Sequence, residues 1–339
     1  MTSNYDLRFF TSKDSSPGAL DGERVALLGY GNLGRSMALN LRDSGIDTLV
    51  VGNIADEFAE MAQDDGFTVL PIAEAVAAST IVLILLPDEV IPEAYDADIA
   101  PHLETGSSIV FASGYTLAYG LIEPSPALDV LLLAPRMAGE NARQRYLDGR
   151  GYFAYVSVEQ EASGRAWSRL LGLAQAAGVL WSGALELDAR READLDLFIE
   201  QTLGAAVGVA IMSAFSLGVE AGIPPEALVM EMYMSEEMEA VWRSFREKGF
   251  FRASDTHGPT ALYGGYLRTM QLMQSDLASN FRETLDGIQS GEFARQFQAE
   301  RDGGYPTLTL AQQMTAETSP VTEPIVRAEI RLRKVLDES

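Results

Sequence analysis

Two carboxylates four residues apart, Asp196 and Glu200, sit in the segment Asp194-Leu-Asp-Leu-Phe-Ile-Glu200. That spacing puts both on one face of a helix. The residues that follow, 201–212, carry almost no charge. A carboxylate at the edge of an apolar helix tends toward burial, and buried charge must be compensated. A hard cation with oxygen ligands, such as Mg²⁺, would supply the compensation. Without a metal, desolvated carboxylates can act as acid and base. In a chain with 49 acids the plainer alternative is a solvated helix face. Glu231 lies in a second apolar helical run, residues 227–235, and is a natural companion ligand from another helix.

The other chemistry-bearing stretch is Arg24-Val-Ala-Leu-Leu-Gly-Tyr-Gly-Asn-Leu-Gly34. A short apolar run suits a buried parallel strand, and a helical pattern follows over residues 35–44. Gly29 permits the tight turn, Gly31 lets the backbone approach a pyrophosphate, and Gly34 lets helix pack on strand. The helix N-terminus then offers unpaired N–H groups to phosphate. The position of the motif, after a strand and before a helix, distinguishes it from an ordinary glycine-rich turn.

The end of the next strand, near Gly52, is where such folds meet the adenosine ribose. Residues 52–57 hold no Arg or Lys but two acids, Asp56 and Glu57. A 2′-phosphate finds no cation there, which favours NADH over NADPH. The alternative role for both acids is to cap the following helix.

These residues need elements to hold them. Apolar runs at 24–28, 48–52, near 68, 80–85, 108–112 and 129–134 alternate with helical spacing. A last strand is expected at 154–158 and a helix at 162–177. This alternation predicts an α/β fold with a doubly wound parallel sheet. Residues 1–22 read as a polar arm. Strand signals stop near Leu185, and helices are expected at 198–219, 225–247, 266–281, 291–300 and 324–336. The predicted domains are therefore 1–184, dinucleotide-binding, and 185–339, all-helical.

Composition narrows the function. The 339 residues are 47% hydrophobic, enough for two cored domains. A net charge of −24 argues against nucleic acid or an anionic membrane as the main partner. With no cysteine, disulfides, thiolate metal sites and a Cys nucleophile are excluded. His102 and His257 are the only histidines, so a multi-His metal site is excluded as well. The first 20 residues do not form a secretory signal, and no run is expected to reach transmembrane length. A cytoplasmic protein acting on a small molecule is expected.

Taken together, the motifs resemble the short class of ketol-acid reductoisomerases along almost the whole chain. The resemblance rests on Gly29-Tyr-Gly-Asn-Leu-Gly34 with Ala38-Leu-Asn-Leu-Arg-Asp-Ser-Gly45. It also rests on Leu85-Leu-Pro-Asp-Glu-Val90, Gly149-Arg-Gly151 and Asp196-Leu-Phe-Ile-Glu-Gln201. Glu220-Ala-Gly222, Ser254-Asp-Thr256 and Gly291-Glu-Phe-Ala-Arg295 complete it. It implies a Rossmann domain, a knotted helical domain, and a homodimer or higher oligomer whose active sites combine both chains. It further implies two Mg²⁺, migration of an alkyl group in an acetohydroxy acid, and reduction by a nicotinamide cofactor.

Carried over, Asp196 falls on the bridging metal ligand, Glu200 on its partner and Glu231 on a ligand from the other subunit. Ser254 falls on the substrate-carboxylate contact, with Glu231 and Ser235 in the same substrate region. Cofactor contacts are expected from Gly29, Tyr30, Gly31, Asn32, Leu33, Gly34, Asn53, Asp56, Leu86, Pro87 and Ser113. Several positions depart from the family. Its His after the fifth strand is Ser113. The Lys of its Pro-Lys-Gly-Pro-Gly-His turn is Arg136, and that turn ends in Glu140. Its final metal-binding Glu is Ser235, and Glu236 and Glu237 would point about 100° or more away around the helix. Leu33 replaces a Gln and Arg35 a His.

The losses fall mainly on the two-metal migration, and the dinucleotide turn keeps its three glycines with departures at Leu33 and Arg35. The leading expectation is an NAD(P)H-dependent reductase of a C=O or C=N bond, in a specialised pathway and without migration. Asp196, Glu200, Ser113, Tyr115 and Arg136 are its candidate catalytic residues, with packing as the alternative for Tyr115. The competing readings are a true Mg²⁺-dependent ketol-acid reductoisomerase and a non-catalytic cofactor-binding protein.

Overall fold

The computed structural model describes residues 7–253, 258–320 and 322–337. The chain divides into two compact units, one ending at Leu195 and the other starting at Asp196.

The first unit is a nine-stranded sheet covered on both faces. Its strands are β1 (Phe9–Phe10), β2 (Val25–Leu28), β3 (Leu49–Gly52), β4 (Thr68–Leu70), β5 (Ile81–Ile84), β6 (Ser108–Phe111), β7 (Asp129–Pro135), β8 (Ala154–Gln160) and β9 (Ala184–Glu186). The helices are α1 (Asn32–Asp43), α2 (Glu57–Asp64), α3 (Ile72–Ala77), α4 (Ile91–Ala94), α5 (Tyr115–Ala118), α6 (Gly139–Leu147), α7 (Ala166–Ala176) and α8 (Ala189–Ile199). The spatial order is β1-β9-β8-β7-β6-β5-β2-β3-β4. From β4 to β7 every pairing is parallel. Strands β2, β5, β6 and β7 are buried along their whole length. This is why they appear in the sequence as unbroken apolar runs rather than alternating ones. Alternate residues feed two cores. Val25 and Leu27 pack with Met37, Leu41 and Leu170, while Ala26 and Leu28 pack with Val76, Ile84 and Phe111.

The far edge departs from expectation. Strand β8 runs antiparallel to β7 and is not the last strand, because β9 follows it in parallel. The arm expected to be irregular contains β1, antiparallel to β9. Phe9 and Phe10 supply the apolar content that the polar residues around them obscure.

A buried ion network joins the amino ends of the strands. Arg169 of α7 donates from Nε to Glu23 at 2.8 Å, and from Nη1 to Asp129 at 3.2 Å and Ser108 at 3.1 Å. Burial alone would raise both carboxyls. In Glu23, hydrogen bonds from Arg169 and Thr80 outweigh it, and in Asp129 those from Ser163 and Ala162 do, so both sit below the usual range.

The second unit is helical among the described residues. After α8 come a π-helical turn (Glu200–Gly204), α9 (Ala205–Glu220), α10 (Pro225–Val229), α11 (Glu237–Lys248), α12 (Pro259–Leu272), α13 (Leu277–Gln289), α14 (Glu292–Asp302), α15 (Pro306–Met314) and α16 (Glu323–Asp337). Its small core gathers Phe215, Val229 and Ala328, with Leu228, Tyr233 and Leu332 against them. Four sequence expectations are corrected. The helix expected over 225–247 is broken by a π turn at Met230–Met234 and by Glu236, whose φ is +62°. The helix expected over 266–281 is two helices, and α15 adds a helix where none is expected. Finally, Ala189–Glu220 is a continuous 32-residue helix with an 18-residue window of mean hydropathy 1.8. By length and composition alone it could cross a membrane. Glu200 and small polar residues interrupt its apolar run and hide its length in the sequence.

Arg169→Met should cost about 3–5 kcal/mol, because it strands two buried carboxylates. Urea denaturation at neutral pH measures this. Since both carboxyls titrate lower in the folded state, their contribution is present above the ordinary carboxylate range. It is lost as pH falls through the lowered values. Acidification should therefore erode wild-type stability more steeply than that of the variant.

Candidate active site

The site is assembled at the carboxyl ends of the parallel strands. Gly29 follows β2 with φ +90°, and a Cβ there would lie 2.8 Å from the Leu85 carbonyl oxygen. A Cβ on Gly34 would lie 2.0 Å from the Gly29 carbonyl oxygen, so only glycine lets α1 start so close to β2. Gly31 is different. It is the N-cap of α1, no side chain caps the helix, and a Cβ would meet nothing within 4 Å. The first turn of α1 thus has no side-chain cap and open space beside Gly31, the cradle that a pyrophosphate requires.

The expected cofactor residues divide by role. Tyr30 contributes backbone only, because its ring is buried. Its N–H donates to Asn53 Oδ1 at 3.2 Å and its hydroxyl to Asp65 Oδ2 at 2.9 Å. Burial first and the Asp65 carboxylate second push the Tyr30 phenol well above its usual value. Asn32 turns toward α6, accepting the Glu140 N–H at 3.2 Å. Leu33 is half-buried in the first turn of α1. Asn53 Nδ2 donates to Asp56 Oδ1 at 2.7 Å, and that oxygen accepts the Phe58 and Ala59 N–H groups at 3.0 Å. Asp56 therefore realises the capping role. Leu86 abuts Gly29, and Pro87 opens the turn into α4. A cavity of about 440 Å³ lined by Asn53, Ile54, Pro71 and Ile72 lies beside the ribose position.

At the ends of β5, β6 and β7 a second group forms. The Ser113 hydroxyl donates to Asp88 Oδ2 at 3.3 Å and accepts the Tyr115 N–H at 3.2 Å. Glu192 of α8 is 1% exposed, yet it accepts the Gly114 N–H at 2.7 Å and Arg136 Nη2 at 2.7 Å. Arg136 also lies over the Tyr155 ring, 5.1 Å from its centroid. A Cβ on Gly114 would sit 2.1 Å from the Ala189 carbonyl oxygen. Glu192 thus ties two strand-end turns to α8. Sequence reasoning missed it, although it precedes Asp196 and Glu200 by four and eight residues. Tyr115 is 4% exposed with its ring against Tyr119. Its geometry is that of packing rather than of a displayed proton donor.

In the second unit, Asp196 is half-buried and Glu200 is exposed at the start of the π turn. Glu231 and Ser235 are both exposed, in and just after the π turn at Met230–Met234. Because Glu236 is left-handed and α11 begins at Glu237, the helical angles expected for these two acids do not apply. Among the described residues, no three acids or histidines gather as a metal site within one chain. Ser254 lies outside the described residues.

Two family profiles match nearly all of the chain. Residues 19–183 match the acetohydroxy acid isomeroreductase NADPH-binding domain, and residues 190–337 match the ketol-acid reductoisomerase C-terminal domain. The chain belongs to the ketol-acid reductoisomerase family. It is 38% identical over 298 residues to a ketol-acid reductoisomerase (NADP(+)) of Methanopyrus kandleri, covering 88% of this chain and 90% of that one. It is 34% identical to a putative ketol-acid reductoisomerase 3 of Saccharolobus solfataricus, covering 96% and 97%. An NADH-preferring ketol-acid reductoisomerase from an uncultured archaeon superposes with a TM-score of 0.89 at 30% identity, over 96% of this chain and 98% of that one. This ketol-acid reductoisomerase relative is thus an NAD(P)H-dependent oxidoreductase with a Rossmann domain and a helical C-terminal domain. The uncapped α1 N-terminus fits its nicotinamide dinucleotide.

Gly31→Ala should leave the urea midpoint unchanged and abolish quenching of protein fluorescence by NADH, because its Cβ fills the cradle and touches no protein atom. Gly34→Ala should instead destabilise the fold itself. Glu192→Ala should cost about 2–3 kcal/mol, as the Arg136 and Gly114 donors lose a charged acceptor; chemical denaturation reports it.

Proposed function

We propose that the protein reduces a C=O or C=N bond of a small molecule with NADH and omits the alkyl migration. The observation that carries this reading is Arg136, which occupies the family's Lys position. A guanidinium keeps its charge and cannot share a proton as a lysine can, and here it is pinned by Glu192. Ser113 in place of a His and Ser235 in place of a metal-binding Glu point the same way. Asp196 and Glu200, with Glu231 from a second copy, would hold any Mg²⁺, which would polarise the substrate oxygen. Ser113, whose hydroxyl donates to Asp88 and accepts the Tyr115 N–H, would hold or pass a proton, and the family resemblance assigns the substrate carboxylate to Ser254.

The preference for NADH rests on residues 52–57, which lack a cation for a 2′-phosphate. The likeness to an NADH-preferring relative supports it. A homodimer or higher oligomer is supported by the uncovered apolar surface of the second unit, including Leu217 at 65%, Tyr263 at 73% and Met273 at 78% exposure. A surface of that kind is characteristic of an interface. The second reading is a true ketol-acid reductoisomerase, favoured by 38% identity to a relative bearing that name.

The purified protein should oxidise NADH with a panel of 2-oxo acids and cyclic imines, and show no Mg²⁺-dependent turnover of 2-acetolactate. Turnover of 2-acetolactate that EDTA abolishes would establish the second reading and overturn the first.

A further inference from the structure

A cation does stand close to the dinucleotide turn, but it is committed elsewhere. Arg35, on the second turn of α1, donates from Nε to Asp65 Oδ2 at 2.7 Å and from Nη2 to Asp65 Oδ1 at 3.1 Å. The same Asp65 carboxylate accepts the Tyr30 hydroxyl, and Arg42 Nη1 donates to the Asp65 carbonyl at 2.7 Å. Arg35 lines a cavity of about 550 Å³ together with Tyr30, Gly31, Asn32 and Phe58, so it borders the glycine turn and the start of α2. Arg143, the other cation on this cavity, is bound to Asp43 and to Asn40 Oδ1. Residues 52–57 add no Arg or Lys.

A ribose 2′-phosphate carries nearly two negative charges and needs charge-assisted donors, best a guanidinium. In this chain the guanidinium beside the turn is held in a two-point pair at the opposite end of α2 from the Asp56 cap. Swinging it toward the ribose would break both bonds and leave the Asp65 carboxylate with the Tyr30 hydroxyl. We propose that the Arg35–Asp65–Tyr30 latch is a determinant of cofactor selectivity, withholding Arg35 from a 2′-phosphate and so disfavouring NADPH. This rests on the NADH reading above and extends it to residues outside the ribose loop.

The test is the dissociation constant of NADH and of NADPH for the full-length protein, by fluorescence quenching, in wild type, Asp65→Asn, Arg35→Ala and the double variant. The Asp65→Asn substitution keeps one acceptor for the Tyr30 hydroxyl but removes the charge and the second oxygen that hold the guanidinium. Wild type should favour NADH. Asp65→Asn should narrow the ratio about tenfold through tighter NADPH binding, a gain that added salt diminishes. Arg35→Ala alone should leave the ratio within about twofold of wild type, and the double variant should cancel the Asp65→Asn gain. The proposal is overturned if Arg35→Ala selectively weakens NADPH, since the cation would then already be in use. It is also overturned if Asp65→Asn keeps the wild-type melting temperature and the wild-type ratio. A wild type that prefers NADPH would instead refute the NADH reading, and the latch with it.

Discussion

The close approach of α1 to β2 sets the geometry on which the cofactor site depends. Gly34 brings the helix so near that a single added carbon would collide with the Gly29 carbonyl oxygen. Gly29 in turn is pressed against the β5–α4 connection at Leu85 and Leu86. Three chain segments therefore meet at backbone contact. This is why the N–H groups of α1 end at the sheet edge and why no side chain intervenes there. Everything else at the rim is arranged around that fixed point. Asn53 reaches the Tyr30 N–H from one side and Asn32 reaches the Glu140 N–H from the other.

A second constraint organises the turns that follow β6 and β7. A nearly inaccessible carboxylate, Glu192, is tolerated because it accepts both a peptide N–H and a guanidinium. It converts three separate elements into one rigid corner. Arg136 in that corner is an oriented, permanent charge. In the reduction proposed above, such a charge would suit electrostatic stabilisation of a developing oxyanion better than proton exchange.

What was legible in the sequence was local. The glycine turn is determined by φ and by Cβ clashes, which residue types report directly. The buried strands announced themselves as apolar runs. What was not legible depends on distant pairing. Glu192 acquires its role from partners 78 and 56 residues away. Strands β1 and β9 are two and three residues long and exist through their pairings, β1 with β9 and β9 with β8. The break at Glu236 has no Gly or Pro to mark it. The resemblance to a family supplied the acids of the second unit, where spacing alone left a solvated face open. The single chain does not gather them into a metal site among its described residues.

Helix α2 is tied to α1 at both ends: Asp56 and Asn53 join its start to the glycine turn, and Asp65 joins its end to Tyr30, Arg35 and Arg42. A two-turn helix on a sheet margin would ordinarily fray and reclose on its own. Tethered in this way, its opening is coupled to that of α1. The rim beside the glycine turn is then already ordered before any ligand arrives. Binding is spared the entropic cost of assembling it.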